Sequence, residues 1–311
     1  MITLGVSQCL LGNEVRYDGG HKHDRYITHI LSDHFQLKSL CPEVEAGLGI
    51  PREPMHLQQA EPTPRVISIR TLRDLTAPLT QWSEQKAASL AQQRLCGFIF
   101  KSKSPSCGMQ RVKQYTDQGM PVNSAGVGVF AQAFMAHNPM VPVEEEGRLR
   151  DAALRENFIE RIFVYDRWLS LVESEGEVQA LVDFHARHKF LIMSHDPVQM
   201  RALGKMVGKA SKLASFEKYG QVLMSALTKR ATVKKHVDVL FHLMGFFKKE
   251  LSADEKAELI ELFEHYHQEL IPLIVPVTMV NHYVRKFKVS YLAQQWYLHP
   301  HPAELKLRNH V

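Results

Sequence analysis

Close cysteine pairs are missing from this sequence. Its 311 residues include four cysteines, Cys9, Cys41, Cys96 and Cys107, and none of them forms the C-x-x-C spacing of structural zinc sites or ferredoxin-type clusters. Four thiols so few and so scattered exclude a secreted disulfide framework and suit a reducing compartment. No apolar run approaches the roughly 20 residues that span a bilayer. The first residues, Met1-Ile2-Thr3-Leu4-Gly5-Val6, lack the basic start and long apolar core of a secretion signal, so the expectation is a cytoplasmic protein without membrane partners. Internal repeats and low-complexity segments are also absent. What is there is ordinary: 45% hydrophobic and 23% charged residues, in a chain long enough for two domains, each burying its own core.

The first half alternates strand and helix signals. Ile2–Gln8, Gln36–Leu40, Arg65–Arg70 and Gly97–Phe100 read as strands. Between and after them, Asp24–Phe35, Leu75–Arg94 and Gly128–Ala136 read as helices. Alternation of this kind predicts an α/β domain with a mostly parallel sheet over residues 1–150. Pro42 to Pro54, rich in Gly and Pro, reads as a long functional loop, and Val141–Gly147 as the close of the domain. From Arg148 onward strand signals stop. Apolar residues at Leu154, Phe158, Ile162, Tyr165 and Leu169 share one helix face. Further helices are expected over 177–194, 197–211, 216–228, 232–249, 253–267 and 274–283, which makes residues 151–311 an all-α domain.

Three of the cysteines follow or end predicted strands: Cys9 in Ser7-Gln8-Cys9-Leu10-Leu11-Gly12, Cys41 in Leu40-Cys41-Pro42-Glu43, and Cys107 in Lys101-Ser102-Lys103-Ser104-Pro105-Ser106-Cys107-Gly108. In an open α/β sheet the carboxyl ends of neighbouring strands converge on one crevice, so distant cysteines can meet there. Three dispersed thiolates can hold three irons of a 4Fe-4S cluster and leave the fourth iron open, a soft Lewis acid suited to a sulfur ligand. Buried structural cysteines are the other reading, and it is the simpler one for Cys96, which sits between Leu95 and an apolar strand.

Charge is uneven. From His185 to Lys249 there are thirteen Lys and Arg against three acids, an excess of ten that suits phosphate binding as well as a solvated helix surface. Lys101, Arg187, Lys189, Arg201, Lys205, Lys209, Lys212, Lys229, Arg230, Lys234 and Lys235 are the candidate phosphate contacts. Phe246 and Phe247 are candidates for base stacking or core packing. His185, His188 and His195 share a helix face, but no acidic ligand accompanies them, and packing or phosphate contact outweighs a metal site.

Ser7-Gln8-Cys9-Leu10-Leu11-Gly12, Arg16-Tyr17-Asp18-Gly19, Cys41-Pro42-Glu43, Gly47-Leu48, Pro51-Arg52 and Ser104-Pro105-Ser106-Cys107-Gly108 resemble the motifs of the DUF523 family, which includes thiouracil desulfidases. The resemblance implies a 4Fe-4S cluster on Cys9, Cys41 and Cys107, whose free iron accepts sulfur from a thiolated pyrimidine. A second set, from Phe184-His185-Ala186-Arg187-His188-Lys189-Phe190 to Gln295-Trp296-Tyr297-Leu298-His299-Pro300, resembles the DUF1722 family. Fusion of the two resembles the RudS type of protein and implies removal of sulfur from 4-thiouridine in tRNA.

Hydrolysis of a C–S bond needs a base for water. Glu43, two residues after Cys41, is the first candidate and Glu45 the second. Ser104 is the candidate for orienting substrate or water, and Ser106 for bonding the turn's own backbone. Asp18 and Arg52 line the site or lock its loops. Two alternatives stand beside tRNA desulfuration: a desulfidase for free 2- or 4-thiouracil, and a nucleic-acid-binding protein whose cluster is structural or senses oxidants.

Overall fold

A computed structural model of the chain describes residues 1–174, 178–209 and 214–309. The chain divides into two compact units, residues 1–150 and 151–311. The first carries strands β1 (Ile2–Ser7), β2 (Phe35–Leu40), β3 (Met55–Gln58), β4 (Arg65–Ser68), β5 (Gly97–Phe100), β6 (Val112–Tyr115), β7 (Pro121–Gly126) and β8 (Val143–Glu145). Among them lie helices α1 (Arg25–His29), α2 (Pro42–Glu45), α3 (Thr76–Ala91) and α4 (Val129–His137).

Two four-stranded sheets form. The first, in the order β2-β1-β5-β8, is parallel throughout. Its register sets Ser7 beside Leu40 and Val6 beside Ile99, so the carboxyl ends of β1, β2 and β5 finish at one level. β5 is buried along its whole length, and Phe98 and Phe100 pack on Phe130 and Phe134 of α4. Burial on both faces explains why this strand is a plain apolar run.

The second sheet, β4-β3-β6-β7, joins β3 to β6 in parallel and the outer pairs antiparallel. Of its strands only β4 is legible in the sequence. β6 and β7 each bury one residue, Val112 and Gly126, too little for an apolar alternation. Leu57, Val66 and Val112 from this sheet make a core with Leu75 and Leu79. β8 corrects the reading of 141–147 as a mere closing segment. It is acidic, yet Glu144 and Glu145 are buried. The expected helix over 24–35 is a short α1, capped by the Asp24 carboxylate on the amides of Tyr26 and Ile27, then a 3-10 turn.

The loop carrying Cys107 is fastened by the first turn of α4. Helix-start amides have no partner within the helix. Here they donate outward: Val129 to the Pro105 carbonyl at 3.1 Å, Phe130 to Ser106 at 2.9 Å, and Gly128 to Gly108 at 2.7 Å. So close is the approach that a Cβ on Gly128 would lie 2.6 Å from the carbonyl carbon and oxygen of Ser106.

The second unit is helical: α5 (Ala152–Glu173), α6 (Val178–His195), α7 (Pro197–Val207), α8 (Ala214–Leu227), α9 (Val233–Met244), α10 (Ala253–His267), α11 (Ile274–Lys286) and α12 (Ser290–Ala293). α9 stops at Gly245, short of the expected Lys249. Trp168 of α5 stacks on Tyr219 of α8 with centroids 5.4 Å apart and meets Phe184 of α6 edge-on. Below them Arg308 is buried between two α5 carboxylates. Its Nη2 donates to Glu160 Oε1 at 2.8 Å and its amide to Glu156 Oε2 at 3.0 Å. Burial alone would raise the Glu160 carboxyl, but the Arg308 charge and the His195 contact outweigh it and hold it well below the usual range. Burial and the Glu160 charge push Glu156 up to about 7. No helix among the described residues is long and apolar enough to cross a membrane.

Two outcomes follow from these contacts. Gly128→Ala should cost about 1–3 kcal/mol by overpacking against backbone, measured by urea denaturation of the full chain. Arg308→Met should cost about 3–5 kcal/mol at neutral pH, because two buried carboxyls lose their cation. Glu160 is held below its unfolded value, so its contribution is complete above that value and is lost as pH falls. The Arg308→Met deficit should therefore narrow toward pH 4, and a deficit that widens there would contradict the assignment.

Candidate functional site

The level carboxyl edge of the first sheet opens into a cavity of about 420 Å³. Cys9, Cys41 and Cys107 all line it, with Glu43, Arg52, Lys101, Ser104 and Ser106. Each thiol arrives by its own local device. Cys9 lies in the 3-10 turn Gln8–Leu11 that follows β1, and its carbonyl accepts from the Lys22 amide at 2.8 Å. Cys41 is the residue before α2, and its Sγ lies 3.8 Å from the Val15 carbonyl. Cys107 sits in the loop fastened by α4.

All three are free thiols. Burial pushes the Cys9 thiol up to about 11, against the pull of Lys101. Burial likewise raises Cys41 and Cys107, and the charges of the other cysteines add to the rise at Cys9 and Cys107. All three face the same cavity. Thiols held protonated do not suit nucleophilic attack, which needs the thiolate. They do suit a metal centre, which expels the proton on binding.

Among the described residues no group of three or more His, Cys, Asp or Glu side chains could hold a metal ion. A cubane cluster makes a different demand, since each thiolate then binds a separate corner. The donor set fits such a cluster: three thiols from three separate segments line one cavity, and its acid Glu43 is already engaged by Arg52 and Ser106.

Glu43 is the hub of the polar side. Its Oε2 receives Arg52 through Nε at 2.8 Å and through Nη2, and its Oε1 accepts from the Ser106 hydroxyl at 2.6 Å. The side chains of Arg52 and Glu43 are 7% and 13% exposed, so the pair is mostly shielded from water. Arg52 also donates to the carbonyls of Gly49 and Val15, and its amide to that of Tyr17. One guanidinium thus joins the loop after β1 to the segment after β2, using its several fixed donors at once.

The bonding of the turn's own backbone, expected of Ser106, is carried by Ser104. Ser104 Oγ accepts the amides of Cys107 at 3.1 Å and Ser106 at 3.3 Å, so it is Ser104 that bonds the turn. Ser106, nearly fully buried, carries the bond to Glu43. Glu45 turns away: its carboxylate meets Lys86 of α3 at 2.8 Å and the Cys41 amide at 3.3 Å, and it does not line the cavity. Asp18 pairs with Arg16 at 2.8 Å and accepts the Gly20 amide, locking its own turn.

Lys101 lines the cavity, but its ammonium is bound to Glu146 and to the Ser102 carbonyl and hydroxyl at 3.0 Å. Glu146 also accepts the Ser102 amide at 2.8 Å, and Glu145 the Met109 amide at 3.0 Å. These two acids brace the cysteine loop from the β8 side and were missed in the sequence. The available signal was three glutamates in a row in the segment read as closing the domain.

In the helical unit Arg187, Arg201, Lys205, Lys209, Arg230 and Lys234 are exposed, and Lys189 is half-buried. Lys212 lies outside the described residues. Lys229 pairs with Asp196 at 2.5 Å and Lys235 donates to the His195 carbonyl at 2.6 Å, so both already have partners. The three histidines are packing residues: His185 bonds Tyr219, His188 the Phe184 carbonyl, and His195 the Lys229 carbonyl. Phe247 is core, while Phe246 is 46% exposed and stacks on Tyr291.

Comparison with known proteins follows the same division. Residues 4–146 match the family described as 2-thiouracil desulfurase, and residues 189–302 match DUF1722, a protein family of unknown function. The chain is 27% identical over 153 residues to the uncharacterized protein YbgA of Escherichia coli (strain K12), covering 48% of this chain and 90% of YbgA. It is 27% identical over 128 residues to the uncharacterized protein YbbK of Bacillus subtilis (strain 168), covering 39% of this chain and 83% of YbbK. Among solved structures, a [4Fe-4S]-dependent thiouracil desulfidase, TudS, is 29% identical and covers 50% of this chain and 97% of its own, with a TM-score of 0.41. The chain is therefore similar to the 2-thiouracil desulfurase family over residues 4–146 and to DUF1722 over residues 189–302.

Proposed function

We propose that the chain removes sulfur from 4-thiouridine in tRNA, giving uridine and sulfide, with a 4Fe-4S cluster held by Cys9, Cys41 and Cys107. The observation that carries this reading is the meeting of three free thiols with the Glu43–Arg52–Ser106 system on one cavity. When bound, the cluster would supply an open, soft Lewis-acidic iron for the substrate's sulfur.

The chain's own residues do the rest. Water adds its oxygen to C4, the C–S bond breaks, the two water protons leave with the sulfur as hydrogen sulfide, and no net electron is transferred. Glu43 is the base that takes the proton from that water. Both Arg52 donors converge on Oε2 and fill it, whereas Oε1 accepts only from Ser106 and keeps a further lone pair for the water. Ser104 holds the Cys107 amide and so positions the ligand loop rather than the substrate. The apolar walls of Val15, Leu40 and Pro42 limit bulk water.

The fused helical unit supports tRNA as the substrate, because a free base offers no phosphates to the exposed Arg187, Lys205, Lys209, Arg230 and Lys234. The description of the matched family favours a second reading, desulfuration of free 2- or 4-thiouracil.

Anaerobically purified protein incubated with bulk tRNA, followed by digestion and nucleoside analysis, should lose 4-thiouridine and gain uridine, with one sulfide released per uridine. The rate below saturation should fall steeply as salt rises. Turnover of free thiouracil with untouched tRNA would replace this reading by the second, and no turnover of either would leave a nucleic-acid-binding or sensor protein. Glu43→Gln should keep the visible absorbance of the cluster and lose about 10²–10⁴-fold in kcat. Cys107→Ser should not retain a full cluster, and one that does would refute the ligand set.

A further inference from the structure

A second cavity, of about 970 Å³, lies on the outer face of the second sheet and adjoins the first: Met55, Lys103 and Pro105 line both. Neither the sequence motifs nor the reaction uses it. Leu57, Val66 and Val112 point into the core, so the alternation of β3, β4 and β6 turns His56, Ile67 and Lys113 outward. Three exposed cations stand along it, Lys103, Arg111 and Lys113, and none forms an ion pair with a described acid. Asp117 is the acid among its lining residues.

Two of these cations bracket the cysteine loop, each four residues from Cys107, and both are non-glycine residues in the left-handed region, with φ of 60° at Lys103 and 54° at Arg111. Such conformations are disfavoured for residues with a side chain and persist where the surroundings fix them. Between the cations lies an aromatic surface. The His56 and Tyr115 rings meet with centroids 4.9 Å apart, and burial keeps His56 below its usual range, so the ring is an uncharged face.

We propose that this groove carries the RNA strand flanking the reacting nucleotide, with Lys103, Arg111 and Lys113 on its phosphates and the His56–Tyr115 pair under a neighbouring base. The proposal rests on tRNA as the substrate. An enzyme that acts on a base within a polynucleotide must take that nucleotide out of its stack, and the backbone on either side then has to lie against the protein. A cationic groove with aromatic side chains is what binds unstacked strands. Continuity with the thiol cavity puts the groove where such a strand must pass. A free thiobase has neither phosphates nor neighbours, so the groove should be silent toward it.

The test compares the cluster-loaded full chain with its Arg111→Gln/Lys113→Gln and Tyr115→Ala variants, on 4-thiouridine-containing tRNA, on free 4-thiouracil, and in binding of unmodified tRNA. The double variant should lower the slope of log affinity against log salt by about 2, one for each phosphate no longer neutralised. Tyr115→Ala should weaken tRNA binding roughly tenfold, and Tyr115→Phe should restore it. kcat/KM for free 4-thiouracil should hold in all three. Unchanged tRNA affinity and salt slope in the double variant would overturn the groove, as would an equal loss on both substrates, which reports a distorted thiol site. Wild-type protein that turns over 4-thiouracil and leaves tRNA intact would instead overturn the tRNA reading, and the binding arm still judges the groove.

Discussion

The site depends on the outward-facing amides at the start of α4. Gly128, Val129 and Phe130 give their N–H groups to the carbonyls of Gly108, Pro105 and Ser106, so an unsatisfied helix start and an irregular loop complete one another. Without that exchange the loop would have buried carbonyls and no fixed place for Cys107, which is almost fully buried. Gly128 is the sequence's concession to it, since no side chain fits between the two backbones.

A second tie joins the same loop to the rest of the site. Arg52 binds Glu43, Val15, Gly49 and, through its backbone, Tyr17. The same Glu43 receives Ser106 from the cysteine loop. The three segments that bring the three thiols are therefore linked through one carboxylate. The carboxylate proposed as the base is also the junction of these segments. Charge and geometry are not separable here.

Much of the first sheet was legible. β5 is a short apolar run and β1 a largely apolar one because both lie inside a parallel sheet, whereas β2 at the edge alternates, and the cysteines follow these strands in the chain. The helices of the second unit follow apolar periods of three and four, and α10 shows its capping box, Ser252 with Glu255, in the sequence itself. The second sheet was not legible, because β6 and β7 bury one residue each. Nor was the partner of Glu43: Arg52 reaches it only through the fold of an irregular loop. Ser104 and Ser106 could be seen to belong together, but which bonds the turn and which bonds Glu43 is decided by side-chain direction, which a motif does not carry. Glu144, Glu145 and Glu146 resemble surface acids, and they are held inside by Arg148, the Met109 amide and Lys101.

The place of β8 in the first sheet has a consequence for assembly. It pairs with β5 from the far side and brings Glu145 and Glu146 under the cysteine loop. A growing chain thus exposes Cys9, Cys41 and Cys107 well before the acids that lock the last of them have been synthesised. In a chain still being made, the Cys107 loop therefore lacks its braces from the β8 side until residue 146 has emerged.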